Sequence, residues 1–163
     1  MSQSTYRSSS SLLYLFVALM IGLGLLALSN SPTQAQHKAA EDDSALLRDY
    51  RGIQLGMTAD DVRKKLGEPK DKGDEQDFYV FSDTETAQIV YDKTHKVVTI
   101  SADFLMPGTA IPTAKQVFGS EVEAKADGSV YKMVRFPKAG YWVSYNRTGG
   151  TSPLTTVTLQ KIP

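Results

Sequence analysis

The segment Leu55–Pro69 constrains this chain more than any other. Leu55-Gly56-Met57-Thr58 reads as a strand end followed by a tight turn, and Asp61 to Pro69 as the body and stop of a short helix. Thr58 suits an N-cap, because its hydroxyl can accept from a free N–H of the first turn, and Asp61 reaches back as an imperfect capping box. Val62 and Leu66 stand at i, i+4 and give the helix one apolar stripe. Gly67 supplies a left-handed C-cap, and Pro69 blocks continuation. The spacing predicts a helix over 59–66 that buries one face. Asp60, Asp61, Arg63, Lys64 and Lys65 crowd that helix, and Asp60 with Lys64 forms a favourable i, i+4 surface pair. These charges read as a solvated face.

The beginning of the chain is of a different kind. Leu12–Leu28 is apolar and uncharged, preceded by Arg7 and a serine-rich stretch and followed by Ser29-Asn30-Ser31-Pro32 and Thr33-Gln34-Ala35. That order reads as an export signal over 1–35, with Thr33 and Ala35 at the small positions before a cut and Gln36 as the mature start. The run also reaches the lower limit for a membrane span, so an uncleaved anchor with Arg7 inside stays open. Either way the remainder is expected outside the cytoplasm: periplasmic or secreted if cut, anchored in the inner membrane if not. Residues 36–50 read as a polar, alanine-rich linker with a possible short helix at Ser44–Tyr50.

The chain has no cysteine. Disulfide staples, thiol chemistry and a lipid-accepting cysteine are thereby excluded, and an exported domain must hold itself together by burial. About 120 residues follow the leader, enough for one core. The 18 basic and 18 acidic residues balance, and loss of Arg7 with the leader leaves one net negative charge. No field of one sign exists to draw nucleic acid or an anionic membrane surface. Membrane contact is expected only through Leu12–Leu28.

Arg51–Leu55 reads as an extended lead-in and Lys70–Asp77 as a charged loop. Strands are expected at Phe78–Phe81, Thr86–Tyr91 and Lys96–Phe104, the last with Val98, Ile100, Ala102 and Phe104 on one side. Asp92-Lys93-Thr94-His95 is a turn, and Met106-Pro107-Gly108 a break. The second half then echoes the first. Pro112–Gly119 reads as another short helix, with Ala114, Phe118 and Gly119 about 52 residues beyond Val62, Leu66 and Gly67. Val143–Thr148 echoes Ile89–Thr94 at a spacing of about 54. Strands follow at Val130–Phe136, Tyr141–Tyr145 and Leu154–Lys161. The expectation is an α+β fold of two layers: an antiparallel sheet with short helices on one face, built from two degenerate helix-plus-meander repeats at about 51–105 and 110–163.

The helix pattern Gly56-Met57-Thr58, Val62, Leu66, Gly67, Pro69 resembles the signature of the SmpA/OmlA outer-membrane lipoproteins and of the beta-lactamase-inhibitor-protein-like domains. The likeness covers Gly52 to Pro163, and the second copy is degenerate. It implies a non-catalytic binding module outside the cytoplasm, whose uncovered sheet face or rim meets a protein partner. The missing cysteine departs from the SmpA/OmlA pattern. The partner is expected to be an envelope protein that the sequence does not name.

Aromatics are dense on the strands. If Tyr141, Val143 and Tyr145 face inward, Trp142 is exposed, and with Tyr79 and Tyr131 it forms an aromatic set suited to anchoring a protein. The bland alternative is that these rings pack the core, since strands favour aromatics whatever the function. His37 and His95 are the only histidines, which does not make a zinc site. Asp92 beside His95 is better read as turn chemistry than as an acid/base pair. Asp83, Glu85 and Asp92 lack calcium-loop spacing. There is no Gly-x-Ser-x-Gly elbow and no phosphate-binding glycine loop. No metal or cofactor is expected and the chain reads as non-catalytic, with a small hydrolase of unrecognised site the least favoured alternative. Asn146-Arg147-Thr148 matches a glycosylation sequon, a weak signal.

Overall fold

Among the described residues, seven strands pair antiparallel in one sheet: β1 (Asp71–Lys72), β2 (Gln76–Ser82), β3 (Glu85–Tyr91), β4 (Val97–Leu105), β5 (Val130–Phe136), β6 (Tyr141–Arg147) and β7 (Leu154–Lys161). Their order across the sheet is β1-β2-β3-β4-β7-β6-β5. Among the described residues two short helices accompany them, α1 (Ala59–Leu66) ahead of β1–β4 and α2 (Ala114–Phe118) ahead of β5–β7. The fold is therefore α+β. The computed structural model describes residues 45–108 and 110–163, within the unit Asp42–Pro163. Leu12–Leu28, the cut site at Gln36 and the linker up to Asp43 lie outside the described residues. No helix among the described residues is long and apolar enough to cross a membrane.

α1 follows its capping chemistry. The Thr58 hydroxyl accepts from Asp61 N at 3.2 Å and donates to the Asp61 carboxylate at 2.7 Å. The box is imperfect because the carboxylate takes the hydroxyl rather than the N-cap N–H. Gly67 closes the helix with positive φ but in an extended region (φ 83, ψ −167), not the left-handed cap expected, and its N–H still reaches Arg63 O. Val62 is fully buried, Leu66 packs against the core, and Pro69 stands beyond the stop. The turn ahead of α1 is stitched to β4: Gly56 N donates to Val97 O, and Val97 N to Met57 O, both at 2.8 Å. That stitching fixes the angle at which the helix leaves the sheet. α2 has the complete capping box, with Thr113 and Gln116 each bonding the other's backbone, and Gly119 in the left-handed conformation.

Both helices meet the same side of the sheet. Arg63 of α1 reaches Asp77 on β2, and Lys132 on β5 lies over the Phe118 ring of α2. Strand alternation puts Asp77 and Lys132 on one face. Between them, Ile89, Ile100, Val143, Val157 and Leu159 are buried to 2% or less and form the core floor.

Three local expectations change. Residues 45–50 are not helical; Tyr50 and Ile53 exchange backbone hydrogen bonds of 3.0 and 2.8 Å around Arg51-Gly52, both with positive φ. A two-residue hairpin turn needs that conformation at both positions, which is why a glycine sits at one of them. The charged loop 70–77 is shorter than expected, because Asp71 and Lys72 pair with Phe78 and Asp77. On β4 the register slips opposite Val90 and Tyr91, so Val97 rather than Val98 joins Ile100, Ala102 and Phe104 in the core. A bulge offsets the period of two by one residue.

Candidate functional site

The sheet face opposite the helices has no described element over it. Three rows of side chains cross it by strand register. Phe78, Gln88, Ser101, Thr158, Ser144 and Met133 form the middle row. Val80, Thr86, Asp103, Thr156, Asn146 and Tyr131 form one flank, and Trp142 with Arg135 ends the other. The centre is thus hydroxyl and amide. Ser101 and Thr158 hydroxyls stand 3.1 Å apart, and Thr156 donates to Asp103 at 2.6 Å.

The apolar groups lie at the two margins. Phe78 and Val80 are 36% and 51% exposed on β2, and Tyr131 and Met133 are 58% and 47% exposed on β5. Five strand spacings separate β2 from β5, about 24 Å. A small ligand does not span that distance; a protein surface does.

Of the three aromatic anchors expected from sequence, this face carries two. Tyr131 is exposed and Trp142 is partly buried, with Met133 in the row between them. Tyr141, Val143 and Tyr145 face inward as expected, with Val143 and Tyr145 fully in the core. Tyr79 does not belong to the set. It is 2% exposed on the helix-covered side, stacked on Phe81 with ring centroids 5.8 Å apart and planes 5° apart. The cause is Asp77. Arg63 holds it through Nε at 2.9 Å and Nη2 at 3.0 Å, Tyr91 OH donates to it at 2.8 Å, and Gly73 N at 3.3 Å. Drawing Asp77 inward puts Tyr79 and Phe81 inward with it and turns Phe78 and Val80 out. Burial disfavours the Asp77 charge, yet Arg63, Tyr91 and Gly73 together outweigh it and hold the carboxyl below its usual range.

Phe78, Val80 and Met133 were not singled out from the sequence. Met133 had a signal, since it stands two residues from Tyr131 on the same strand face. Phe78 and Val80 had none without knowledge that Asp77 is buried.

Two of the titratable residues weighed from the sequence, Asp92 and Glu85, are engaged elsewhere. Asp92 accepts from Thr94 N, Thr94 Oγ1 and Lys96 N inside its turn, and these bonds lower its pKa. Glu85 accepts from Arg51 Nε at 3.0 Å, Arg51 Nη2 at 2.8 Å and Tyr50 OH at 2.8 Å, and Arg51 pulls its carboxyl down. Glu85 and Asp92 flank opposite ends of β3 and share no ligand position. No group of three or more metal-ligating side chains occurs among the described residues. His37 lies outside them. On the helix side, hollows of about 310 Å³ beside Tyr50, Glu85 and Phe104 and of about 500 Å³ beside Leu55, Gly140 and Tyr141 remain between the lead-in segment and the sheet.

Searches against protein-family models, curated proteins and solved structures found no match to this chain.

Proposed function

We propose that this protein is an exported, non-catalytic binding module of the cell envelope that docks a protein partner on its open sheet face. The observation that carries the reading is the layout of that face: a polar, hydroxyl-rich centre, with one carboxylate, Asp103, held by Thr156, flanked by exposed apolar side chains about 24 Å apart. Aromatic and methionine side chains at the margins supply the apolar anchors, and the hydroxyls and amides between them supply adaptable hydrogen bonds. Tyr131 and Trp142 stay as anchors, Tyr79 leaves the set, and Phe78, Val80 and Met133 join it.

The helix-then-antiparallel-strands order of each half, α1 before β1–β4 and α2 before β5–β7, supports a duplicated unit, with β4 and β7 meeting at the centre. It suits the SmpA/OmlA-like and inhibitor-protein-like resemblance, which we carry as part of the proposal. Export rests on Arg7 and the apolar run Leu12–Leu28. A second reading rests on the same run: a membrane-tethered structural protein of the envelope. Intact mass of the exported protein separates the two, because a mature form starting near Gln36 excludes the tether.

The docking reading is tested by capture from envelope extract with the wild-type chain and with Phe78→Ser, Tyr131→Ser and Trp142→Ala. Partners held by the face are lost or weakened at least about tenfold by variants at either margin. Capture that is unchanged in all three variants means that the open face is not the docking surface.

A further inference from the structure

We infer that β5 is a self-association edge: two copies of this chain pair β5 against β5, antiparallel, about a two-fold axis through Met133, and so join their sheets. The sheet has two edges of opposite character. On one side β1, two exposed, charged residues, Asp71 and Lys72, covers only Phe78 and Asp77, and the part of β2 that runs past it is broken by a register shift between Val80 and Ser82, so that edge is short and irregular. β5 is seven residues long and pairs with β6 in unbroken register. No described backbone group outside β6 bonds to Val130–Arg135, and only Phe136 O is taken, by Gly140 N. The strand has no proline and no bulge. Its one lysine does not guard the edge, because Lys132 Nζ is drawn inward to Ser120 Oγ at 3.2 Å and to the Phe118 ring at 4.9 Å. An unpaired ladder about 23 Å long is left.

The side chains select a second copy as the occupant. A two-fold axis normal to the sheet keeps both open faces on one side, so opposed residues must come from the same face. The register centred on Met133 overlaps the whole strand. It sets Tyr131 against Arg135 and Met133 against Met133 on the open face, and Val130 against Phe136 and Lys132 against Val134 on the covered face. No like charges oppose each other, and each Arg135 meets an aromatic ring it attracts. Centring one residue earlier opposes Lys132 to Lys132. Centring one residue later leaves Val130 and Tyr131 beyond the paired strand. The chosen register also brings the two Tyr131–Met133–Trp142 margins together at the axis, forming one continuous docking face.

An edge of this size belongs to the small-interface class, so we expect half-dimerisation at about 10–100 µM. The chain's lack of cysteine gives a direct test on the full-length protein. Met133→Cys is expected to form a disulfide-linked dimer under mild oxidation. Val80→Cys, equally exposed at the opposite margin, stays monomeric on a non-reducing gel. In light scattering, Met133→Lys and Tyr131→Arg each weaken the wild-type dimer at least about tenfold, by placing like charges in opposition. Circular dichroism of both charge variants should match that of the wild type, since the positions are exposed. Wild-type protein monomeric at about 1 mM, equal cross-linking from both cysteine variants, or undiminished dimer in both charge variants each overturns the proposal.

Discussion

The same three-part cluster occurs twice on the covered face. At one site Arg63 grips Asp77 through Nε and Nη2 while Tyr91 donates to the same carboxylate. At the other, Arg51 grips Glu85 through Nε and Nη2 while Tyr50 donates to it. The bonds are nearly identical in kind and length, but the surroundings are not. Arg63 and Asp77 side chains are 19% and 0% exposed, against 44% and 16% for Arg51 and Glu85. A bond list cannot rank the two clusters; solvent does. Water takes over for either partner at the Arg51 site, whereas Asp77 without Arg63 is a charge with no water to turn to. The buried cluster also decides which way β2 faces, and so which aromatics reach the open sheet.

The largest expected effect therefore follows loss of the buried cation. Arg63→Ala strands the Asp77 carboxylate and is expected to cost about 3–5 kcal/mol in urea unfolding. The double change Arg63→Met with Asp77→Leu recovers much of that loss, because an apolar pair of similar volume carries no desolvation penalty. If the single variant costs no more than an exposed pair, Asp77 is not buried in solution and the assignment of the β2 faces fails. A step smaller, Tyr91→Phe removes a charged hydrogen bond and is expected to cost about 1.5–3 kcal/mol.

Acid sharpens the contrast next. Asp77 and Glu85 both titrate below their unfolded values, so each adds stability that is present above the unfolded carboxyl pKa of about 4 and lost as pH falls through the folded one. Stability should hold from neutral pH down to about 5 and then decline. Denaturant midpoints measured across that range should show a shallower acid limb for Asp77→Asn than for wild type. An unchanged limb in Asp77→Asn shifts the acid sensitivity to other carboxylates.

How much of this was legible in the sequence depends on how far apart the deciding groups lie. The bounds of α1 are carried by Thr58 and Gly67, local groups that cap a helix wherever it packs, and they were readable. β5 ends and β7 begins where expected because Pro137 and Pro153 punctuate them. The facing of β2 was not readable. It depends on an arginine on a preceding helix reaching a carboxylate that, by composition alone, belongs outside. The bulge at Val98 was hidden for a similar reason: one extra residue in a run of apolar and small side chains leaves no mark in the pattern. At Tyr50–Ile53 a hairpin turn carries a non-glycine residue, Arg51, at φ 50, and nothing in a polar linker announces it. The margins of the candidate face inherit these limits. Tyr131 and Trp142 lie on strands whose alternation was clear, whereas Tyr79 was lost and Phe78 and Val80 gained through a single long-range ion pair.

At the exposed cluster the expected loss is small. Arg51→Ala removes the Glu85 pair and the stacking over Phe81, 4.1 Å from the guanidinium to the ring centroid. Both contacts are open to water, so thermal unfolding should report at most about 1 kcal/mol. A loss approaching that of Arg63→Ala would break the comparison, since two clusters of like bonding would then be worth the same whatever their burial.

The smallest effect is expected between the two clusters, and its sign is informative. Tyr79 lies on β2 between Asp77 and Phe81, and its buried hydroxyl has no hydrogen-bond partner among the described residues. Burial first, and the neighbouring Asp77 charge second, push its pKa up to about 12. A folded value above the unfolded one near 10 means stability that is complete below pH about 10 and lost as pH rises toward 12. Tyr79→Phe keeps the stacked ring and deletes the unpaired hydroxyl, so the change near neutral pH should lie between zero and a gain of about 1 kcal/mol, with part of the alkaline loss removed. Tyr91→Phe, the same atom deleted one strand away, should instead destabilise. A cost at Tyr79 as large as that at Tyr91 would mean that its hydroxyl is bonded in solution, and that the interior of β2 is organised around more than the Arg63–Asp77 pair.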